Sequence, residues 1–186
     1  MRVIAGTARS LLLKTPVGAE TRPTTDRIKE TLFNMLQMDI VGCVFFDFFS
    51  GSGGIGIEAL SRGAKCAYFV DNNKEALECI KQNIAFTKFT EQAHVLNRDV
   101  RDAISVLDEK ADIIFMDPPY SLGIESDIMQ LLQKSDCLKE DTLIIIEALK
   151  ERDLHELEFY GYRIQKEKIY KTNKHVFLIP KKKSDY

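Results

Sequence analysis

Cysteine and histidine are scarce in this chain of 186 residues, four of the first and three of the second. Cys43, Cys66, Cys79 and Cys137 lie far apart with no CxxC pair, and the histidines are scattered, which excludes zinc and dithiol redox readings. Reduced core thiols in a cytoplasmic protein are the better account, and no metal is expected. No apolar run approaches membrane-spanning length and the start carries no signal-peptide pattern, so no membrane partner is expected. Internal repeats, low-complexity tracts and long linkers are also lacking. One domain over residues 1–186 is expected, with a basic extension over 1–24 and a core over 25–186. Without a long exposed apolar stripe, it should act as a monomer.

Hydrophobic content of 45% with 29% charged residues is ordinary for a globular protein. The net charge of −2 conceals an asymmetry: residues 1–30 carry +3, the stretch from Arg163 to the end +6, and residues 31–162 −11. Basic segments at both ends of an acidic middle suggest a face for a polyanion if the ends meet in space. Solvated termini are the plainer reading of charge runs taken alone.

The densest chemical signal runs from Phe45 to Gly56. The apolar run Phe45–Phe49, carrying the single carboxylate Asp47, ends in Ser50-Gly51-Ser52-Gly53-Gly54-Ile55-Gly56, and a helical pattern with Ile57 and Leu60 follows. Strand, glycine turn and helix are expected, with backbone on which a ligand can lie. The spacing Gly51-x-Gly53-x-x-Gly56 also fits a dinucleotide site. A dinucleotide would place its pyrophosphate over the helix N-terminus, where Asp47 would repel it. S-adenosylmethionine carries an ammonium and a sulfonium that a carboxylate attracts, so it is the favoured cofactor.

Further acids fall at expected strand ends. Asp71 follows Ala67–Val70 and stands 20 residues beyond Gly51, the separation of an acid that accepts from ribose hydroxyls. Asp99, after Val95-Leu96, is placed to accept from an exocyclic amine such as adenine N6, and helix capping is an equal alternative. Asp112–Met116 leads into Asp117-Pro118-Pro119-Tyr120. Two prolines there donate no backbone hydrogen bond, which leaves neighbouring carbonyls for a ligand. The Asp117 carboxylate and the Pro118 carbonyl can each accept one N–H of a planar NH2 group and aim its lone pair at an electrophile. Tyr120 can stack on the base that carries the amine.

The remaining pattern predicts a hairpin within Arg2–Thr15, a helix over about Asp26–Gln37, an amphipathic helix Lys74–Phe86 and a helix Ile124–Leu132. Strands are expected at Thr142–Ile146, ending at Glu147, and at Phe159–Ile169 and His175–Ile179, joined by a turn at Lys171–Lys174. Alternating strands and helices closed by a hairpin imply a doubly wound α/β sheet with one antiparallel strand.

Three segments together, Arg22-Pro23-Thr24-Thr25-Asp26-Arg27, Asp47–Gly53 continuing to Glu58-Ala59-Leu60-Ser61-Arg62-Gly63-Ala64, and Asp117–Tyr120, resemble the RsmD-type ribosomal RNA methyltransferases over nearly the whole chain. The resemblance implies a Rossmann-like class I core with seven strands in the order 3-2-1-4-5-7-6, strand 7 antiparallel, helices on both faces and a short N-terminal hairpin. It implies methylation of the N2 amine of a specific guanine in 16S ribosomal RNA, free or in a small-subunit particle. Asp71 departs from the Glu frequent in the family, and Ala8-Arg9-Ser10 lacks the glycine expected after its arginine. The expected cofactor residues are Thr24, Asp47, Ser50, Gly51, Ser52, Gly53, Asp71, Asn72 and Asp99. Asp117, Pro118 and Tyr120 are expected to act on the substrate amine, and Arg2, Arg9, Arg22, Lys181, Lys182 and Lys183 to meet RNA. Methylation of adenine N6 or of a glutamine side chain, or RNA binding without catalysis, are the alternatives.

Overall fold

The computed structural model describes residues 1–16, 26–119 and 123–181. The chain divides into two compact units, Met1–Asp99 and Val100–Tyr186. In the first, a hairpin is paired through Arg2 and Leu12 and is followed by α1 (Asp26–Met35), β1 (Val44–Phe48), α2 (Gly54–Ser61), β2 (Cys66–Asp71), α3 (Lys74–Thr87) and β3 (Ala93–Asn97). In the second come α4 (Val100–Ile104), β4 (Ile113–Met116), α5 (Glu125–Gln133), β5 (Leu143–Leu149), a 3-10 turn (His155–Tyr160), β6 (Tyr162–Ile169) and β7 (Asn173–Pro180). The seven-stranded sheet has the order β3-β2-β1-β4-β5-β7-β6.

In the first unit β1 pairs parallel with β2 and β2 with β3. All five residues of β1 are buried, which explains why the strand reads as a continuous aromatic run rather than an alternation. Gly56 lets α2 sit close on β2, since a Cβ there would lie 2.4 Å from the Phe69 ring. Asn73 caps α3 by accepting from the N–H groups of Glu75 and Ala76, so the amphipathic helix starts where its apolar face begins. In the second unit β4 and β5 are parallel, and β7 runs antiparallel to both β5 and β6. Its core is the buried aliphatic set Ile113, Ile114, Ile144–Ile146, Val176 and Leu178.

Several elements differ in extent from the sequence expectation. β5 continues through Glu147 to Leu149, because Glu147 pairs across to His175 instead of ending the strand. β6 begins at Tyr162, after Gly161 closes the 3-10 turn with a positive φ of 86°. β7 begins two residues earlier than expected, at Asn173. α4, one short turn after Asp99, is an element that the apolar periodicity did not signal.

Candidate functional site

At the end of β1 the backbone turns sharply. Phe49 adopts a left-handed φ of 59°, uncommon for a bulky aromatic and costing on the order of 1–3 kcal/mol. Gly51 and Gly53 follow with φ of 55° and 76°. Ser50 fixes this geometry: its Oγ donates to the carbonyl of Asp47 at 2.5 Å, its N–H to that of Val70 at 3.1 Å, and its own carbonyl accepts from Gly53 N–H at 2.7 Å. A Cβ on Gly51 would meet no described atom within 4 Å, so room opens directly above its main chain.

Two carboxylates hold the turn from below. Asp71 accepts from Gly51 N–H through Oδ2 and from Asn73 N–H through Oδ1, each at 2.9 Å, which ties the end of β2 to both the turn and the cap of α3. Asp47, 1% exposed, accepts from Gly56 N–H through Oδ2 at 2.9 Å. Burial is the strongest influence on its carboxyl and raises it, the Gly56 N–H opposes the rise, and the Asp71 charge adds to it, leaving the group at about 8. A carboxyl so costly to ionise alone is suited to a cationic partner. The room above Gly51 and the remaining lone pairs of Asp71 suit a nucleoside with an ammonium, so the residues present fit S-adenosylmethionine.

The structure thus brings Asp47, Ser50, Gly51, Ser52, Gly53 and Asp71 into one turn. Asn72 is exposed beside Asp71, and half-buried Asp99 lies two residues past Asn97, the residue of β3 that pairs with Asp71. In the second unit Asp117 is half-buried and Pro118 buried directly after β4. Thr24, Arg22, Tyr120, Lys182 and Lys183 lie outside the described residues. Among the expected RNA contacts, Arg9 is exposed. Exposed Arg2 donates from Nε to Asp26 Oδ2 at 2.7 Å, and Lys181 donates from Nζ to the Glu158 carbonyl at 2.8 Å. The Lys181 ammonium is therefore turned to its own chain.

Sequence reasoning missed two buried polar clusters. On α2, Glu58 accepts from the N–H groups of Ile4 and Ala5 at 2.8 and 3.0 Å, from Arg62 Nε at 2.8 Å, and pairs with Lys29 Nζ at 3.2 Å. Glu58 and Lys29 are both fully buried, and Lys29 also donates to the Arg2 carbonyl at 2.6 Å. Burial drives the Lys29 ammonium down from its usual range, with the Glu58 charge opposing. Ser61 accepts from Ala8 N–H through Oγ at 3.0 Å and donates to the Ala5 carbonyl at 2.6 Å. The hairpin is thereby laid along α2. The signal available was a Glu and a Ser in an otherwise apolar helix. In the second unit, buried Glu147 accepts from Asn173 Nδ2 at 2.5 Å and contacts His175 Nε2 at 3.1 Å, while His175 Nδ1 faces Tyr170 Oη at 3.2 Å. Burial first, and the charge of Glu147 second, push the Tyr170 hydroxyl up to about 12.

Strand order, the acid-braced glycine turn and the proline pair after β4 together define a class I methyltransferase, whose methyl donor is S-adenosylmethionine. A solved Escherichia coli protein provisionally assigned as a methyltransferase, yhhF, superposes with a TM-score of 0.84 at 30% identity, covering 97% of this chain and 98% of that one. Ribosomal RNA small subunit methyltransferase D of Haemophilus influenzae is 36% identical over 157 residues, 83% of this chain and 81% of its own. Its Escherichia coli namesake is 34% identical over 154 residues, 83% and 77% of the two chains. The model of the family described as conserved hypothetical protein 95 matches residues 1–179, and the chain belongs to this RsmD-type family.

Proposed function

We propose that this chain methylates the exocyclic N2 amine of a guanine in small-subunit ribosomal RNA, acting as one cytoplasmic monomeric domain with residues 1–24 as its RNA-facing arm. The observation that carries the reading is Asp117-Pro118 at the end of β4: a half-buried carboxylate beside a buried proline that has no N–H. Support for the RNA comes from the names of the Haemophilus and Escherichia relatives, whose substrate is ribosomal RNA of the small subunit.

The cofactor supplies an electrophilic methyl group. Asp47 would hold its ammonium and Asp71 its ribose, while the main chain at Gly51 leaves room for close approach. Asp117 accepts one N–H of the guanine amine and the Pro118 carbonyl the other, which turns the nitrogen lone pair out of conjugation with the ring. Alignment and lone-pair localisation carry much of the rate, because an aromatic amine is a weak nucleophile. The proton made acidic by methylation leaves to Asp117 or to water. Tyr120 stacks on the base.

Small-subunit RNA with the target guanine replaced by inosine, which lacks only the N2 amine, tests this. Methylation at that nucleotide should be abolished while RNA binding is retained. Methyl incorporation at the inosine would show another atom to be the acceptor, and incorporation at an adenine or into protein would favour the other planar amines.

A further inference from the structure

Asn83, in the third turn of α3, is 1% exposed and saturates its amide on two different segments. Its Oδ1 accepts from Lys14 N–H at 2.9 Å and its Nδ2 donates to the Lys14 carbonyl at 3.0 Å, the two-point pairing that one strand residue offers another. The same Nδ2 donates to the Ser52 carbonyl at 2.9 Å, inside the glycine turn. Cys79 Sγ, one turn earlier on α3, donates to the Lys14 carbonyl at 3.0 Å.

The other strand of the hairpin reaches the same turn. Leu13 N–H donates to the Met1 carbonyl at 2.9 Å, and the Met1 side chain fills the space beside Gly54, its Sδ 2.1 Å from where a Cβ there would stand. The far end of the hairpin is held on α2 by Ser61, whose carbonyl lies 1.8 Å from the Cβ position of Gly6. The open end of the hairpin therefore rests on Ser52–Gly54; Ser52 Oγ donates to Met1 Sδ at 3.9 Å, and Asn83 joins the two by hydrogen bonds to the main chain of both.

We infer that Asn83 is a positioning residue that couples the hairpin to the cofactor turn, so that RNA held by the hairpin and cofactor held by the turn bind with positive cooperativity. This rests on the proposed RNA function. The turn contains two glycines at left-handed φ, Gly51 and Gly53, with Ser52 between them, and glycine loses more freedom on ordering than any other residue. Lys14, through its N–H and its carbonyl, holds the Asn83 amide in the position from which it fixes the Ser52 carbonyl. RNA that immobilises the hairpin therefore orders the turn before the cofactor arrives, and the cofactor bears less of that cost. Linkage makes the effect reciprocal: cofactor binding must tighten RNA by the same factor.

Calorimetry with S-adenosylhomocysteine, with and without protein-free small-subunit ribosomal RNA, reads the coupling as a ratio of two dissociation constants. The parent should show a ratio of about tenfold, within the usual range of coupling between sites. Asn83→Leu, close in volume but without polar atoms, should bring the ratio to near one. Asn83→Asp keeps the acceptor for Lys14 N–H but loses both donated bonds, and should do the same if the leucine variant fails to fold. A loosened fold would weaken both affinities and leave their ratio unchanged, so an unaltered ratio in a folded variant overturns the assignment. A parent that binds RNA with a ratio of one refutes the coupling alone. A parent that binds neither the free RNA nor the small-subunit particle refutes the RNA function, and the coupling with it.

Discussion

Asp47 gives the cofactor site a pH dependence whose sign and size follow from its burial. With its carboxyl at about 8 in the folded protein against an ordinary 3.8, the ligand-free protein carries a proton on Asp47 at pH 6–7. An ammonium placed against that carboxyl favours the ionised form, so binding expels the proton. Affinity for S-adenosylhomocysteine, which keeps the ammonium, should rise about tenfold per pH unit from 5.5 to 7.5, since each unit of proton linkage is worth about 1.4 kcal/mol. Calorimetry at pH 6.5 in two buffers of different ionisation enthalpy should count about one proton released. The folding side has its own sign. Because the folded value lies above the unfolded one, the stability contributed by this proton is full below about pH 4 and is lost as pH rises through about 8. Asp47→Asn should bind without proton release and with little pH dependence in this window. Its stability relative to the parent should grow between pH 5 and 8 by about 1.4 kcal/mol per unit. Flat affinity from pH 5.5 to 7.5, with no proton released by the parent, would refute the pairing of Asp47 with a cationic cofactor.

Other perturbations separate chemistry from scaffold. Asp117→Ala should lower kcat by about 10²–10³ while cofactor affinity stays within a few-fold, and Asp117→Asn, which keeps an acceptor oxygen, should retain more activity; equal losses in kcat and cofactor affinity would place Asp117 in cofactor binding instead. Glu58→Ala strands buried Lys29 and two hairpin N–H groups and should cost about 3–5 kcal/mol in urea unfolding, with a loss under about 1 kcal/mol showing that the network relaxes.

The parts of the site that sequence exposed are those with local signatures. Glycines required at positive φ, an acid two residues before the turn, and an acid at the end of the next strand are all set by backbone geometry within a few residues. The doubly wound class was legible because strands and helices alternate, and the order of strands because the three quoted segments resemble one family. What stayed hidden was polar chemistry between residues distant in the chain. Glu58 meets Ile4 and Ala5 across more than fifty positions, and Asn83 meets Lys14 and Ser52 across 69 and 31. No periodicity marks a helix side chain that serves as hydrogen-bond partner to someone else's backbone. Glu147 looked like a strand end because a buried carboxylate inside a strand is unusual; its partners His175 and Asn173 come from β7, 28 and 26 residues away. Element ends also shifted where turns rather than apolar pattern decide, as at Gly161.

The laying of the hairpin along α2 also bears on how a growing chain matures. Residues 2–8 are made before the groups that satisfy their main chain, Lys29, Glu58 and Ser61. Until α2 has emerged, this segment has no settled place and its amides must be met by water or by a helper protein. Synthesis at about 5–20 residues per second makes that interval several seconds long. The hairpin thus locks only after α2 has been made, and a pause in translation before residue 62 would prolong the time it stays open to misdocking or proteolysis.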